Sequence, residues 1–224
     1  MKVVSHRGGR GFGPDNTLGA MEEAFRAGVI AIETDVRATS DGELVISHDP
    51  KVNGHHIGRT PFATLRRDNP DRPLLREILD SLAGKVSFNI EIKVAPPEAV
   101  GEMLASYGIL DDTLVTSFRK DMIEGVKRAF PAAHVGSLRW TLLNENHVLH
   151  RMKEAGVEVV ALHYKAVNED TVFILHELGL GVHAWTVNED SEARRLHALG
   201  VDGLITDHYL DMVRLVEELD AAAG

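Results

Sequence analysis

The sequence predicts an α/β fold: a (β/α)8 barrel, or TIM barrel, in which helices enclose eight parallel strands within a single domain. Three observations predict it. The 224 residues suffice for one such domain, near the short end of its usual length. A unit of amphipathic helix, glycine and short apolar strand recurs along the chain, which is typical of parallel sheets. The strands of this unit end in polar residues, as expected where active-site side chains follow barrel strands.

The repeated unit identifies four strands directly. Each copy has a glycine after its helix, because the residue that ends a helix often adopts a left-handed conformation that a Cβ disfavours. These glycines are Gly28, Gly156, Gly179 and Gly200, and the strands after them cover residues 29–35, 157–163, 180–185 and 201–207. Four more strands are predicted at residues 2–5, 86–93, 113–117 and 134–138, with further helices at 97–107, 119–130 and 210–219. A doubly wound open sheet contains the same units and is the alternative architecture.

One stretch interrupts the alternation of strands and helices. Residues 44–47 follow the Asp41-Gly42 turn, and we interpret them as a continuation of the second strand beyond a kink. Residues 50–73 contain four prolines and little periodicity. The sequence therefore predicts a small irregular insertion after the second strand, inside one domain that covers residues 1–224.

Composition excludes several classes of protein. The chain has 24 basic and 34 acidic residues, a formal charge of −10, and so lacks the basic surface of a nucleic-acid binder and any general attraction to anionic membranes. It has no cysteine, which excludes disulfides, thiolate metal sites and cysteine nucleophiles. Neither a signal-peptide core nor an apolar run long enough to span a membrane is present. We expect a cytoplasmic protein with no stable membrane association, and the sequence specifies no oligomeric state.

Two predicted strands carry acidic residues on one face. Side chains alternate along a strand, so Glu33 and Asp35 share a face, and Asn89, Glu91 and Lys93 share another. If both faces point inward, three carboxylates converge and repel one another unless a cation neutralises them. One divalent cation, Mg²⁺ or Ca²⁺, is the predicted cofactor, because both ions prefer oxygen ligands. The alternative is that the strand-end charges are simply solvated.

Two histidines at predicted strand ends are candidates for acid–base catalysis. His6 and His48 follow strands close to the acidic residues, and imidazole titrates near neutral pH. Arg7 and Lys93 are candidates for binding an anion. Asp207 ends the last strand, where it is equally well explained as a site residue or as the cap of the last helix. The glycine-rich loop at 8–13 fits no nucleotide-binding motif and leads instead to a predicted helix cap at 15–17.

Taken together, short blocks of sequence resemble the glycerophosphodiester phosphodiesterase family. They appear in the family's order and cover nearly the whole chain. The blocks are His6-Arg7-Gly8, Pro14-Asp15-Asn16-Thr17, Glu33-Thr34-Asp35-Val36, His48-Asp49, Asn89-Ile90-Glu91-Ile92-Lys93, Ser117-Phe118, Trp185-Thr186-Val187-Asn188 and Gly203-Leu204-Ile205-Thr206-Asp207. Two features depart from the pattern: Asp15 stands where the family usually has glutamate, and the segment after His48 is short.

The resemblance implies a barrel enzyme that hydrolyses glycerophosphodiesters to sn-glycerol 3-phosphate and an alcohol. It implies a divalent metal on Glu33, Asp35 and Glu91, and an acid–base pair formed by His6 and His48. It also implies phosphate contacts from Arg7 and Lys93, and a pocket lined by Phe118 and Trp185. Two alternatives stay open: a lysophospholipase D or phosphoinositide-type phosphodiesterase on the same barrel, and a non-catalytic barrel that binds phosphodiesters.

Overall fold

The computed structural model describes residues 1–142 and 146–223, without the side chains of residues 146, 147 and 223. Residues 143–145 and 224, which the predicted domain includes, lie outside the described residues. The strands are β1 (Lys2–Ser5), β2 (Ala31–Ala38), β3 (Leu44–Ile46), β4 (Lys51–Val52), β5 (His55–His56), β6 (Ser87–Val94), β7 (Leu114–Ser117), β8 (His134–Arg139), β9 (Val159–His163), β10 (Gly181–Trp185) and β11 (Gly203–Thr206). The α-helices are α1 (Leu18–Arg26), α2 (Phe62–Asp68), α3 (Leu75–Leu82), α4 (Pro97–Ser106), α5 (Lys120–Ala129), α6 (Asn146–Glu154), α7 (Glu169–Glu177), α8 (Asp190–Ala198) and α9 (Tyr209–Ala223).

Eight parallel strands close into a barrel, which confirms the predicted fold. Their order around the barrel is β1, β2, β6, β7, β8, β9, β10 and β11. Closure depends on β1, which pairs with β11 on one side (Val3 with Leu204) and with β2 on the other (Ser5 with Ile32). The open-sheet alternative is wrong, because the first and last strands of the chain are hydrogen-bonded neighbours.

The predicted continuation of the second strand through residues 44–47 is wrong. β3 is a separate strand that runs antiparallel to β2, with Val36 opposite Ile46. The chain reverses between them at Gly42, whose φ of 84° lies in the left-handed region that glycine tolerates. Backbone hydrogen bonds close the reversal: the Gly42 N–H donates to the Thr39 carbonyl over 3.1 Å, and the Thr39 N–H donates to the Glu43 carbonyl over 3.0 Å.

The insertion at residues 50–73 is more regular than expected. It contains the β4–β5 hairpin and helix α2, where the sequence suggested irregular chain. A small apolar cluster separate from the main core holds it against β3, and its buried members are Val45, Val52, Ile57, Leu65 and Leu74. The sequence did not predict this cluster, because the elements of the insertion are too short to show a helical or strand periodicity.

Helix α3 follows the insertion and was not predicted. Leu75, Ile78, Leu79 and Leu82 are buried at helical spacing, and they join the main core. The Glu77 carboxylate accepts a hydrogen bond of 2.8 Å from the Leu74 backbone N–H and satisfies the start of the helix. The helical spacing of the apolar residues and the position of Glu77 near the helix start are both visible in the sequence. The sequence could therefore have predicted this helix.

The core lies between the barrel and its helices. On β2 and β6, Ile32, Ile90 and Ile92 are fully buried in this layer, while the alternate residues point into the barrel. This alternation places polar side chains at the carboxyl-terminal end of the barrel interior, where the candidate site forms. Among the described residues, no helix combines the length and apolar character needed to cross a membrane.

Candidate active site

Three buried carboxylates meet at the carboxyl-terminal end of the barrel. The register of β2 and β6 sets Glu33 beside Asn89 and Asp35 beside Glu91, so the acidic residues of both strands share one inward face, as predicted. Oxygen atoms of Glu33, Asp35 and Glu91 all lie within 4.8 Å of one another. All three residues are buried, so water screens their mutual repulsion only weakly.

A lysine ammonium lies against this cluster. Lys93 Nζ is 3.1 Å from Asp35 Oδ1 and 2.7 Å from Glu91 Oε1. Burial raises the pKa of Glu33 well above its ordinary value, and the charges of Asp35 and Glu91 raise it further. Burial also raises the pKa of Glu91, to about 7, although Lys93 opposes this shift. One ammonium therefore does not neutralise three carboxylates.

Neighbouring groups fix the orientation of the carboxylates. The Arg7 backbone N–H donates to Glu33 Oε2 over 2.8 Å, and Asn16 Nδ2 donates to Asp35 Oδ2 over 2.9 Å. Asn16 is itself held by the Thr34 hydroxyl, which donates to its Oδ1 over 2.7 Å. Such outer contacts orient ligands in metal sites.

The donor set fits a divalent cation. It consists of three buried carboxylates whose oxygens lie within 4.8 Å of one another, and carboxylate oxygens are the ligands that Mg²⁺ and Ca²⁺ prefer. Beside it, Asn89 accepts from the Thr116 hydroxyl over 2.8 Å, while its buried Nδ2 has no hydrogen-bond partner within the described chain. That amide is a free donor beside the cluster, suited to an anionic oxygen.

His6 belongs to a hydrogen-bonded group at the β1–β11 seam. Its Nδ1 lies 2.7 Å from Asp207 Oδ1, and Asn188 Nδ2 donates to Asp207 Oδ2 over 2.7 Å. Burial opposes ionisation of Asp207, but the hydrogen bonds from His6 and Asn188 outweigh it and lower its pKa to about 2. Asp207 is therefore ionised and faces His6, and its role in the site stays a prediction. Helix α9 begins two residues later, at Tyr209.

His48 is held differently. Its Nδ1 lies 2.8 Å from Asp49 Oδ1, and its carbonyl accepts from Arg37 Nε and Nη2 over 3.1 and 2.7 Å. Burial lowers the pKa of His48 below its ordinary value, although Asp49 opposes this shift. Arg37 fixes the backbone of this residue and was not among the predicted site residues.

Arg7 and Gly8 form a tight turn after β1. Arg7 adopts a φ of 48°, and its Nη1 lies 3.3 Å from Asp15 Oδ2, so aspartate at this position still reaches the guanidinium. Gly8 has a φ of 70°, and a Cβ there would stand 2.4 Å from the buried Met21 side chain. The turn therefore needs glycine for its conformation and for space. The predicted cap is found at Thr17, whose hydroxyl accepts from the Ala20 N–H.

Three aromatic rings line the same cavity as the acidic cluster, and we call them the aromatic wall: Phe118, Trp140 and Trp185. Trp185 meets the other two rings edge to face, with centroids 5.5 Å from Phe118 and 4.6 Å from Trp140. Trp140 was not predicted, because the fifth strand was expected to end at Leu138. Extending the strand period by two residues places Trp140 on the same side as Leu138.

One cavity of about 240 Å³ brings the predicted residues together. Its lining includes His6, Arg7, Glu33, Asp35, His48, Glu91, Lys93, Phe118 and Trp185, as well as Asn89 and Trp140. A larger groove of about 510 Å³ lies outside the rim, between α1 and the insertion, and contains neither histidine nor the acidic cluster. Position in the fold therefore identifies the smaller cavity as the candidate active site.

Three buried carboxylates, Arg7, Lys93 and two histidines line one cavity at the end of the barrel that carries the active site in this fold. The chain belongs to the glycerophosphoryl diester phosphodiesterase family, whose model matches residues 6–210. It is accordingly a phosphoric diester hydrolase.

Individual relatives agree with this assignment. A glycerophosphodiester phosphodiesterase of Bacillus altitudinis is 27% identical over 97% of this chain and 99% of its own length. The solved glycerophosphodiester phosphodiesterase of Thermotoga maritima has a TM-score of 0.80 at 26% identity, covering 95% of this chain and 97% of that one. An Oleispira antarctica phosphodiesterase, solved in complex with the product sn-glycerol-3-phosphate, shares the fold with a TM-score of 0.83 at 22% identity, and 97% of each chain is covered.

Proposed function

We propose that this protein hydrolyses glycerophosphodiesters to sn-glycerol 3-phosphate and an alcohol, using one divalent cation, Mg²⁺ or Ca²⁺, and the histidine pair His6 and His48. The observation that carries the proposal is the cluster of three buried carboxylates within 4.8 Å of one another, in the same cavity as both histidines. The Oleispira antarctica relative was solved with sn-glycerol-3-phosphate, which supports a product of this class.

In this proposal Glu33, Asp35 and Glu91 hold the cation. When bound, it would polarise the phosphate and offset the charge that builds on its oxygens. Asn16 and the Arg7 backbone N–H keep two of the carboxylates in place through hydrogen bonds of 2.9 and 2.8 Å. These contacts preorganise Glu33 and Asp35 as ligands.

The remaining groups bind the phosphate. The Arg7 guanidinium and the Lys93 ammonium supply positive charge beside the carboxylates, and the Asn89 amide supplies a donor without another partner in the described chain. Positive groups fixed near the developing negative charge stabilise the transition state more than the ground state. The phosphate is thereby bound between the acidic cluster and the two side-chain cations.

The histidines move the protons. One imidazole removes a proton from the nucleophile and the other protonates the departing alkoxide, and groups of this type titrate in the range that the chemistry needs. Asp207 holds His6 from behind at 2.7 Å, which selects the tautomer that presents Nε2 to the cavity. The nucleophile is water or the neighbouring glycerol hydroxyl, and trapping a cyclic phosphate during turnover distinguishes the two routes.

Substrate choice has a second candidate. Lysophospholipase D activity requires an apolar surface near the site, and the exposed ring of Trp140 supplies one that the sequence did not predict. We favour the water-soluble diesters, because the two histidines, Arg7, Lys93 and the three carboxylates of the cavity offer polar contacts suited to a small hydroxylated substrate. The expected cytoplasmic location stays a prediction.

One assay tests the proposal. Purified protein is incubated with glycerophosphocholine and, separately, with lysophosphatidylcholine, in the presence of Mg²⁺, Ca²⁺ or a chelator. We expect release of sn-glycerol 3-phosphate from glycerophosphocholine with metal and none with chelator. Faster turnover of lysophosphatidylcholine would favour the second candidate, and undiminished turnover in chelator would contradict the metal.

A further inference from the structure

A separate cavity of about 230 Å³ lies on the outer side of strand β8, where residues of helices α5 and α6 complete its lining. Side chains alternate along the strand, so Leu138 and Trp140 line the catalytic cavity, while Ser137 and Arg139 face the other way and line this one. Among the described residues, Phe118 alone contributes to both linings. We call this space the outer cavity, and the proposed reaction gives it no role.

The outer cavity places polar side chains in the layer between the barrel and its helices. Elsewhere in this layer, Ile32 of β2 and Ile90 of β6 are fully buried. On β8 the outward residue Val135 is buried in the same way, but the next two outward positions are Ser137 and Arg139. Polar groups in such a layer cost free energy unless they have hydrogen-bond partners.

The Arg139 guanidinium is partly buried and incompletely paired. Its Nε is buried and makes no hydrogen bond within the described chain. Burial lowers the pKa of this guanidinium, because the charge has lost part of its hydration. An anion placed at the guanidinium would restore the lost interactions, since it supplies both an acceptor and the opposite charge.

The charges around the outer cavity favour an anion. Its lining has three cations, Lys120, Arg139 and Arg151, and one carboxylate among the described residues, Glu124. Lys120 Nζ lies 2.8 Å from Glu124 Oε1, so these two charges offset each other. Arg139 and Arg151 leave an excess of positive charge at the cavity, which attracts an anion.

Much of the remaining surface is apolar. Ile123, Met152 and Val157 are buried there, and Val148 and Ala155 extend the same surface. At about 30 Å³ for each water-sized group, the cavity holds roughly eight non-hydrogen atoms. It therefore has room for a charged head and a chain of a few methylene groups, each of which gains free energy by leaving water.

We propose that the outer cavity is a binding site for a small amphiphilic anion, whose carboxylate or phosphate head pairs with Arg139 and whose short alkyl chain lies against Met152 and Val157. The planar guanidinium offers parallel N–H groups to two oxygens of such a head, and the Ser137 hydroxyl on the same face of β8 offers a further donor. This site is separate from the catalytic cavity, so its occupancy does not depend on the function proposed above.

The methionines provide a reporter within the outer cavity. The chain has six, and Met152 is the one that lines this space. Methyl NMR of protein labelled with ¹³C at the methionine methyl groups is recorded during titration with hexanoate, acetate and hexylammonium, and Met152→Leu identifies the Met152 signal. We expect hexanoate to half-saturate the shift of this signal at a concentration at least about tenfold lower than acetate, which lacks the chain, or hexylammonium, which has the wrong charge.

The comparison ligands decide between the possible outcomes. A parallel titration with hexyl phosphate identifies the preferred head group, and preference for either head supports the site. Equal half-saturation by hexanoate and hexylammonium overturns the proposal, because the arginine then selects no charge. Equal half-saturation by hexanoate and acetate, or a Met152 signal that neither alkyl anion shifts, also overturns it.

A variant locates the head group. Arg139→Gln removes the charge and keeps a polar side chain, and we expect it to raise the half-saturating concentration of hexanoate at least about tenfold. Arg128→Gln is the matched control and should bind like the parent protein, because Arg128 is exposed on helix α5 and lies outside the cavity. Unchanged binding by a folded Arg139→Gln protein overturns the assignment of the head to this residue.

A second variant covers the case in which Arg139→Gln does not fold, as judged by circular dichroism. Arg151 is exposed on helix α6, so Arg151→Gln should leave the fold intact while it removes part of the positive charge at the cavity. We expect a rise of about two- to tenfold in the half-saturating concentration of hexanoate, because solvent screens this charge more than that of Arg139. Binding that is insensitive to Arg151→Gln would then overturn the charge-based recognition.

Discussion

The Nδ1 atom of His6 lies 2.7 Å from Oδ1 of Asp207, and Asn188 holds the second oxygen of that carboxylate at the same distance. With a pKa of about 2, Asp207 is ionised throughout the working range of a histidine. The pair therefore fixes both the tautomer and the direction of the imidazole.

We predict that Asp207→Asn lowers kcat about 100-fold or more and leaves the fold intact. An amide can donate towards Nδ1, which favours the wrong imidazole tautomer. The measurement is steady-state hydrolysis of glycerophosphocholine across pH, with circular dichroism as a check on folding. Asp211→Asn is the matched control, since the Asp211 side chain is exposed and pairs only with Arg214 among the described residues. A normal rate in Asp207→Asn would remove this carboxylate from the mechanism.

The histidines themselves are tested by single substitutions. We expect His6→Ala and His48→Ala each to lower kcat by about 10²- to 10⁴-fold, because each removes one proton-transfer group. His55→Ala serves as a control, since His55 pairs with Asp68 in the insertion and lies outside the cavity. Either histidine would lose its proposed role if its alanine variant kept near-normal turnover.

Removal of one carboxylate tests the metal site directly. Glu91→Gln is expected to weaken binding of Mg²⁺ and Ca²⁺ by at least about tenfold, because a neutral amide replaces one of three anionic ligands. Calorimetric titration of each ion measures this and identifies the preferred one. Glu98→Gln, on the exposed start of helix α4, is the control and should bind like the parent protein. Unchanged affinity in Glu91→Gln would place the ion elsewhere.

Stability should fall in mild acid because of His183. Its ring packs against Gly203, and burial lowers its pKa to about 4 from an ordinary value of 6.5. As the pH falls through 6.5 the unfolded chain takes up a proton on this residue, whereas the native protein does so only near pH 4. The stabilisation is therefore complete above pH 6.5 and declines towards pH 4.

Between pH 7.5 and pH 5 we expect a loss of at most about 2 kcal/mol in the free energy of unfolding from this residue. Denaturant titrations at the two pH values measure it. His183→Gln should lose correspondingly less over the same pH interval, because it lacks the group whose pKa burial lowers. Identical losses in the parent protein and His183→Gln would contradict the prediction.

The turn after β1 is tested by a pair of glycines. Gly8→Ala and Gly84→Ala both place a Cβ at positive φ, 70° and 72°. Only Gly8 has a close neighbour, the Met21 side chain at 2.4 Å, whereas nothing lies within 4 Å of the Gly84 position. We therefore expect Gly8→Ala to cost about 1–3 kcal/mol more in unfolding free energy than Gly84→Ala. Equal costs, measured by denaturant unfolding, would show that space is not limiting at Gly8.

The sequence by itself determined the barrel and most of the residues that line the candidate active site. Strand alternation is a local property, so the shared face of Glu33 and Asp35 followed from their spacing alone, as did that of Asn89, Glu91 and Lys93. The strand–helix repeat likewise predicted which residues lie at the carboxyl-terminal ends of the barrel strands. The length of 224 residues predicted a single domain, and the structure has one closed barrel.

Only the tertiary structure decided which of these ends touch. Closure of β1 against β11 brings Asp207 to His6 across 201 residues of sequence, and no local pattern encodes that contact. No local pattern encodes the hydrogen bond from Asn16 to Asp35 or the one from Arg37 to the His48 carbonyl either. The packing of Trp140 against Trp185 likewise depends on the tertiary structure. The tertiary structure also showed that the chain reverses at Gly42, so that residues predicted to extend β2 form the antiparallel strand β3. These features depend on packing between distant segments, whereas periodicity reports only the face on which each residue lies.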